Sequence, residues 1–124
     1  MVLASPTMKK IKNARLLWLV TGYLGWGLIA TLSLVPGASR PHTAAGGPYE
    51  HLLAYAAVGF CFGLGYLSLR LRVLSCSALT LSAMIFELLQ SFIPGRNSEM
   101  IGFAAGAIGS WLGLAMASAI VLMT

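Results

Sequence analysis

Four nearly unbroken apolar stretches, at residues 16–35, 51–69, 73–93 and 100–123, constrain this chain more than any other feature. Each approaches the roughly 20 residues that an α-helix needs to cross a hydrocarbon core about 30 Å thick. Pro36-Gly37 stops the first stretch and Pro94-Gly95 closes the third. None shows the period-two alternation of a barrel strand, so helices are the expected elements. Only 9% of the 124 residues are charged, while 58% are hydrophobic. Average soluble domains carry roughly 25% charged residues, so a soluble fold of this size would lack the polar surface to cover its core. The expected fold is all-α: a polytopic membrane domain over residues 16–124 with four transmembrane helices, preceded by a basic cytoplasmic segment, 1–15.

The net charge of +5 does not point to nucleic acid. Lys9, Lys10, Lys12, Arg15, Arg70 and Arg72 lie in short flanks beside the apolar stretches, where they act as orientation signals. Arg40 and Arg96 fall on the opposite side, so the positive-inside rule predicts both termini in the cytoplasm. The first stretch is longer than the 7–15 apolar residues of a signal peptide and is followed by further spans, so it is read as an uncleaved helix. The inward connection around Arg70–Arg72 is very short, which predicts a tight antiparallel hairpin of the second and third helices. Cys61 and Cys76 sit inside apolar stretches and read as small buried hydrophobes. Neither they nor His42 and His51 have partners at metal-ligand spacing, so no metal or cofactor is expected.

Glu87 is the residue that asks for an explanation. A carboxylate within a membrane segment is costly and marks a functional site or a buried pair by default. On the third helix, Cys76, Thr80, Ala83, Glu87 and Gln90 step by four and three residues and share one face. That face should meet protein rather than lipid. On the fourth helix, Gly102, Gly106, Gly109 and Gly113 form a stripe that allows close helix approach, and Gly59 and Gly63 on the second read the same way. His51 and Tyr55, one turn apart, start the second helix at the end where the third finishes. One polar cluster at the outer end can therefore contain His51, Tyr55, Glu87, Gln90 and Arg96. Glu50 and Glu99 read as solvated helix-start acids, and Trp18, Tyr23, Trp26 and Trp111 as packing or interface anchors.

The stretches at residues 50–55 (EHLLAY), 87–96 (ELLQSFIPGR) and 109–113 (GSWLG), with the LSLVP end of the first helix at 32–36, resemble the VanZ-like family of small bacterial integral membrane proteins. The resemblance covers residues 32–113. It implies a multi-pass protein of the bacterial plasma membrane, an accessory of the cell envelope affecting sensitivity to teicoplanin-type glycopeptides. It also implies site positions at His51, Tyr55, Glu87, Gln90 and Arg96. The chain departs from the family pattern at Gly47-Pro48, where an Asp-Lys pair is usual, and at Gly102 and Gly106, where an Asp and an Asn are usual.

Several readings fit these residues. In the first, an outward pocket binds an amphiphilic or lipid-linked envelope compound, with Arg96 holding an anionic group and Glu87 and His51 bonding an amide or hydroxyl. In the second, the bundle is structural and Glu87 pairs with Arg96 or His51 without a ligand. In the third, Glu87 is a general base, His51 an acid or base and Arg96 an oxyanion stabiliser in a hydrolase or transferase acting on lipid-linked substrates, although no Ser or Cys nucleophile motif accompanies them. A proton-coupled transporter is disfavoured, because four helices leave little room for alternating access unless the chain forms a homo-oligomer. The expected partners are the lipid bilayer, a lipid-linked or amphiphilic envelope ligand and a second copy of the chain in a homo-oligomer.

Overall fold

The structure, a computed structural model, describes residues 6–34, 47–93 and 100–123, with side chains for 13–34, 49–93 and 100–122. Four α-helices make up this part of the chain: α1 Pro6–Leu34, α2 Gly47–Gly65, α3 Leu69–Gln90 and α4 Met100–Met123. Three of them contain spans long and apolar enough to cross a membrane, at Asn13–Leu34, Leu69–Gln90 and Met100–Leu122. Large apolar side chains such as Leu24, Leu28, Leu81, Leu88, Ile108 and Met116 face outward. A soluble monomer rarely exposes so continuous an apolar surface, whereas a multi-pass membrane protein turns such a surface to lipid.

The helix ends differ from the apolar boundaries for local reasons. α1 starts at Pro6 rather than residue 16. Proline suits a first helical turn, where its missing N–H has no intrahelical role, so the basic flank is itself helical. α2 stops at Gly65 and α3 begins at Leu69, four residues before the expected 73. Ser68 caps α3, its backbone extended at φ −82 and ψ 143, and its hydroxyl accepts from Leu71 N at 3.1 Å. Arg70 and Arg72 therefore belong to the first turn of α3, not to the connection. Cations oppose the dipole there, but Arg72 turns away from its own helix. Its Nε donates to the Tyr66 carbonyl at 2.8 Å, where α2 ends. Carbonyls in a last turn lack helical partners, and a guanidinium satisfies one while meeting the negative end of the dipole. At its far end α3 tightens into short-range bonds, Phe92 N to Leu89 O and Ile93 N to Gln90 O, both at 3.1 Å.

The short turn makes α2 and α3 antiparallel, yet the expected tight α2–α3 hairpin is corrected by the packing. α2 lies chiefly against α4, then against α1, and touches α3 only lightly. Glycine explains this choice. A Cβ on Gly59 would strike the Ser110 carbonyl, one on Gly109 the Leu52 carbonyl, and one on Gly113 the Ala56 carbonyl and, at 2.7 Å, Phe60 N. Backbone thus meets backbone along the α2–α4 seam. In lipid no hydrophobic gain favours one helix contact over another, so dispersion at such short range selects the partner. On the other side of α2, Gly22 of α1 admits the Phe62 ring and Gly25 admits Val58. Tyr55, Phe62, Cys76, Leu79 and Ser110 are the largest fully buried side chains and form the centre.

Candidate functional site

The antiparallel run of α2 and α3 sets the first turns of one beside the last turns of the other. His51 Nε2 lies 3.8 Å from Glu87 Oε1, with the two side chains only 15% and 8% exposed. That separation is an ion-pair distance, longer than a direct hydrogen bond. Tyr55, one turn along α2, stacks beside His51 with ring centroids 6.4 Å apart and planes 11° from parallel. Tyr55 is buried, and its hydroxyl lies within hydrogen-bonding reach of Ser82 and electrostatic range of Glu87. Among the described residues every buried side-chain nitrogen or oxygen has a partner.

α4 closes the site with two residues that lack side chains. A Cβ on Gly102 would meet the Glu87 Oε1 and, at 3.2 Å, its Cδ. One on Gly106 would press on the Tyr55 ring at 3.1 Å and on Ala83 Cβ at 3.2 Å. The missing side chain on Gly102 makes room for the carboxylate of α3. Gly102 also belongs to the first turn of α4. Amide N–H groups in a first turn have no helical acceptor, and the dipole presents its positive end. The Glu87 carboxylate therefore rests beside a helix end that favours negative charge. Further along the seam Gly109 and Gly113 only admit backbone, as described above.

Gln90 departs from the expected cluster. Its stripe is buried, as are Cys76, Leu79, Ala83 and Glu87, but its Nε2 donates to the Ser33 carbonyl at 3.0 Å. Ser33 lies in the last turn of α1, so the amide caps that helix rather than lining the space by His51. Thr80, expected on the same stripe, is half-buried; Leu79 is fully buried beside it. Thr80 accepts from Trp111 Nε1 at 3.1 Å and donates to the Cys76 carbonyl at 2.9 Å, joining α3 to α4. Arg96, Glu99, Arg40 and His42 lie outside the described residues.

Ser82 was missed by the sequence reading. It receives Trp26 Nε1 at 3.0 Å, donates to the Leu79 carbonyl at 2.8 Å, and faces Tyr55. The one signal the sequence held was a hydroxyl midway along an apolar stretch. Chemically, the arrangement offers a carboxylate acceptor, an imidazole that can donate or accept, and a phenol, all at one end of the bundle. Among the described residues no three His, Cys, Asp or Glu side chains converge as metal ligands would. No protein-family model, curated protein or solved structure matches the chain. The VanZ-like resemblance therefore rests on the sequence stretches alone.

Proposed function

We propose that this chain is an accessory protein of the bacterial plasma membrane that crosses the bilayer four times with both termini inside. Its outward-facing polar pocket at His51, Tyr55 and Glu87 receives an amphiphilic envelope compound and so alters sensitivity to teicoplanin-type glycopeptides. The Lys and Arg distribution supports the orientation. The three-residue turn between α2 and α3 supports α2 as the fourth span, since its 19 residues reach about 28 Å. The observation that carries the pocket is the His51–Glu87 pair, 3.8 Å apart and largely enclosed at one end of the bundle. A ligand amide or hydroxyl inserted there would bridge the imidazole and the carboxylate. Arg96, in the turn that follows α3, would add a guanidinium for an anionic headgroup.

The same burial favours a second reading, in which the pair only locks α2, α3 and α4 in register. Replacing Glu87 by Gln separates the two. Glutamine keeps the shape but gives up the charge. On the pocket reading, cells carrying Glu87→Gln hold the protein at normal abundance with an unchanged thermal midpoint, yet lose the glycopeptide phenotype. A phenotype that falls only in proportion to abundance would leave the structural reading in place.

A further inference from the structure

α1 and α3 do not close on each other. Two open clefts lie between them, of about 220 Å³ and about 310 Å³, and both are lined by Tyr23 and Trp26. They follow one another as a groove along α3 from Leu71 to Phe86, crossed by the Trp26–Ser82 hydrogen bond at 3.0 Å. Fifteen helical rises extend about 22 Å, most of a hydrocarbon core. Gly27 lies on the α1 wall, and a Cβ there would meet nothing within 4 Å. A glycine inside a helix costs about 0.5–1 kcal/mol relative to alanine. The glycines of the α2–α4 seam are explained by neighbours that leave no space, but Gly27 borders a gap.

The groove is mainly apolar, and arginines stand in the turns at one end of it. Arg70 is exposed in the first turn of α3, one turn before the lining residue Leu74. Arg72 is bonded to Tyr66, itself a lining residue, whose hydroxyl is hydrogen-bonded to that of Tyr23. Arg15 stands one turn before Leu19, which lies against Gly65, so it is level with the same turn. We propose that this groove holds one anionic phospholipid, its phosphate at Arg15, Arg70 and Arg72 and an acyl chain along Trp26 and Phe86. Basic pockets between spanning helices suit such headgroups. A guanidinium pairs with phosphate in a bidentate fork, and burying acyl methylenes against aromatic side chains adds contact along the groove. A second copy of the chain is a poorer fit, because a symmetric parallel dimer would bring the arginines of both copies together at one rim. The proposal needs α1 and α3 to span the bilayer and is independent of the His51–Glu87 pocket.

The test uses full-length protein taken from nanodiscs of equal parts phosphatidylglycerol and phosphatidylcholine and examined by native mass spectrometry. One retained phosphatidylglycerol is expected. The double variant Arg15→Gln/Arg70→Gln should lower that occupancy about tenfold or more. Gly27→Phe, whose ring enters open space, should remove the adduct while the thermal midpoint in detergent holds. Equal retention of both lipids, or an adduct that survives either variant, would overturn the proposal. So would loss of a dimer in Gly27→Phe at unchanged lipid occupancy, which would make the occupant a second chain.

Discussion

The α2–α4 seam and the α1–α3 groove use glycine in opposite ways. Along the seam Gly59, Gly109 and Gly113 let one backbone rest on another. Across the groove the helices stand apart, and side-chain hydrogen bonds bridge them: Trp26 to Ser82 at 3.0 Å and Gln90 to Ser33 at 3.0 Å. The first kind of contact is stiff, because no rotamer can relieve a clash with a carbonyl. The second kind can stretch, because long side chains set the spacing. Glycine by itself therefore says little about a helix face. Its meaning depends on what stands opposite.

The contrast predicts a graded series of stability changes, each read as a thermal shift of purified protein in detergent. Gly113→Ala should be the most damaging, about 3 kcal/mol, since the methyl enters backbone that cannot yield without separating α2 from α4. A shift below a third of that would mean the seam is not stiff. Gln90→Leu should cost about 2 kcal/mol, because the buried Ser33 carbonyl loses its donor on the groove side. A neutral result would show that water or lipid reaches that carbonyl. Gly102→Ala should cost only about 1 kcal/mol. It faces the far end of a flexible carboxylate rather than backbone. Because the methyl displaces Glu87 from His51, however, the pocket reading expects it to abolish the proposed glycopeptide phenotype as fully as Glu87→Gln. Gly27→Ala should raise stability by about 0.5 kcal/mol, the one substitution of the series with the opposite sign, since its methyl meets open space.

Much of the fold was legible from spacing. Continuous apolar runs gave four helices, and the four-three steps from Cys76 to Gln90 gave the buried face of α3. The boundaries at residues 65–69 were less legible, because Ser68 acts through one hydrogen bond to Leu71 N and hydropathy does not register it. The pairing of helices was also hidden. A three-residue turn implies antiparallel neighbours, but it does not imply that they are the closest pair. That is decided by whether a face offers backbone, as Gly109 and Gly113 do, or side chains. At the candidate site, helix periodicity brought His51, Tyr55 and Glu87 to one end of the bundle, where the structure has them adjacent. The same periodicity also included Gln90. It could not tell that the amide reaches α1 instead, because a period fixes direction from one axis and not the identity of the helix opposite.

The bond from Gln90 to Ser33 spans 57 residues of sequence. A ribosome adding about 5–20 residues per second leaves roughly 3–11 s between the synthesis of the two. Throughout that interval the end of α1 holds a carbonyl whose permanent donor has not yet been made. Water or lipid headgroups must serve in its place, so the nascent first helix is expected to keep that end at the membrane interface. Its depth is settled only once the tail of the third helix has been translated and inserted.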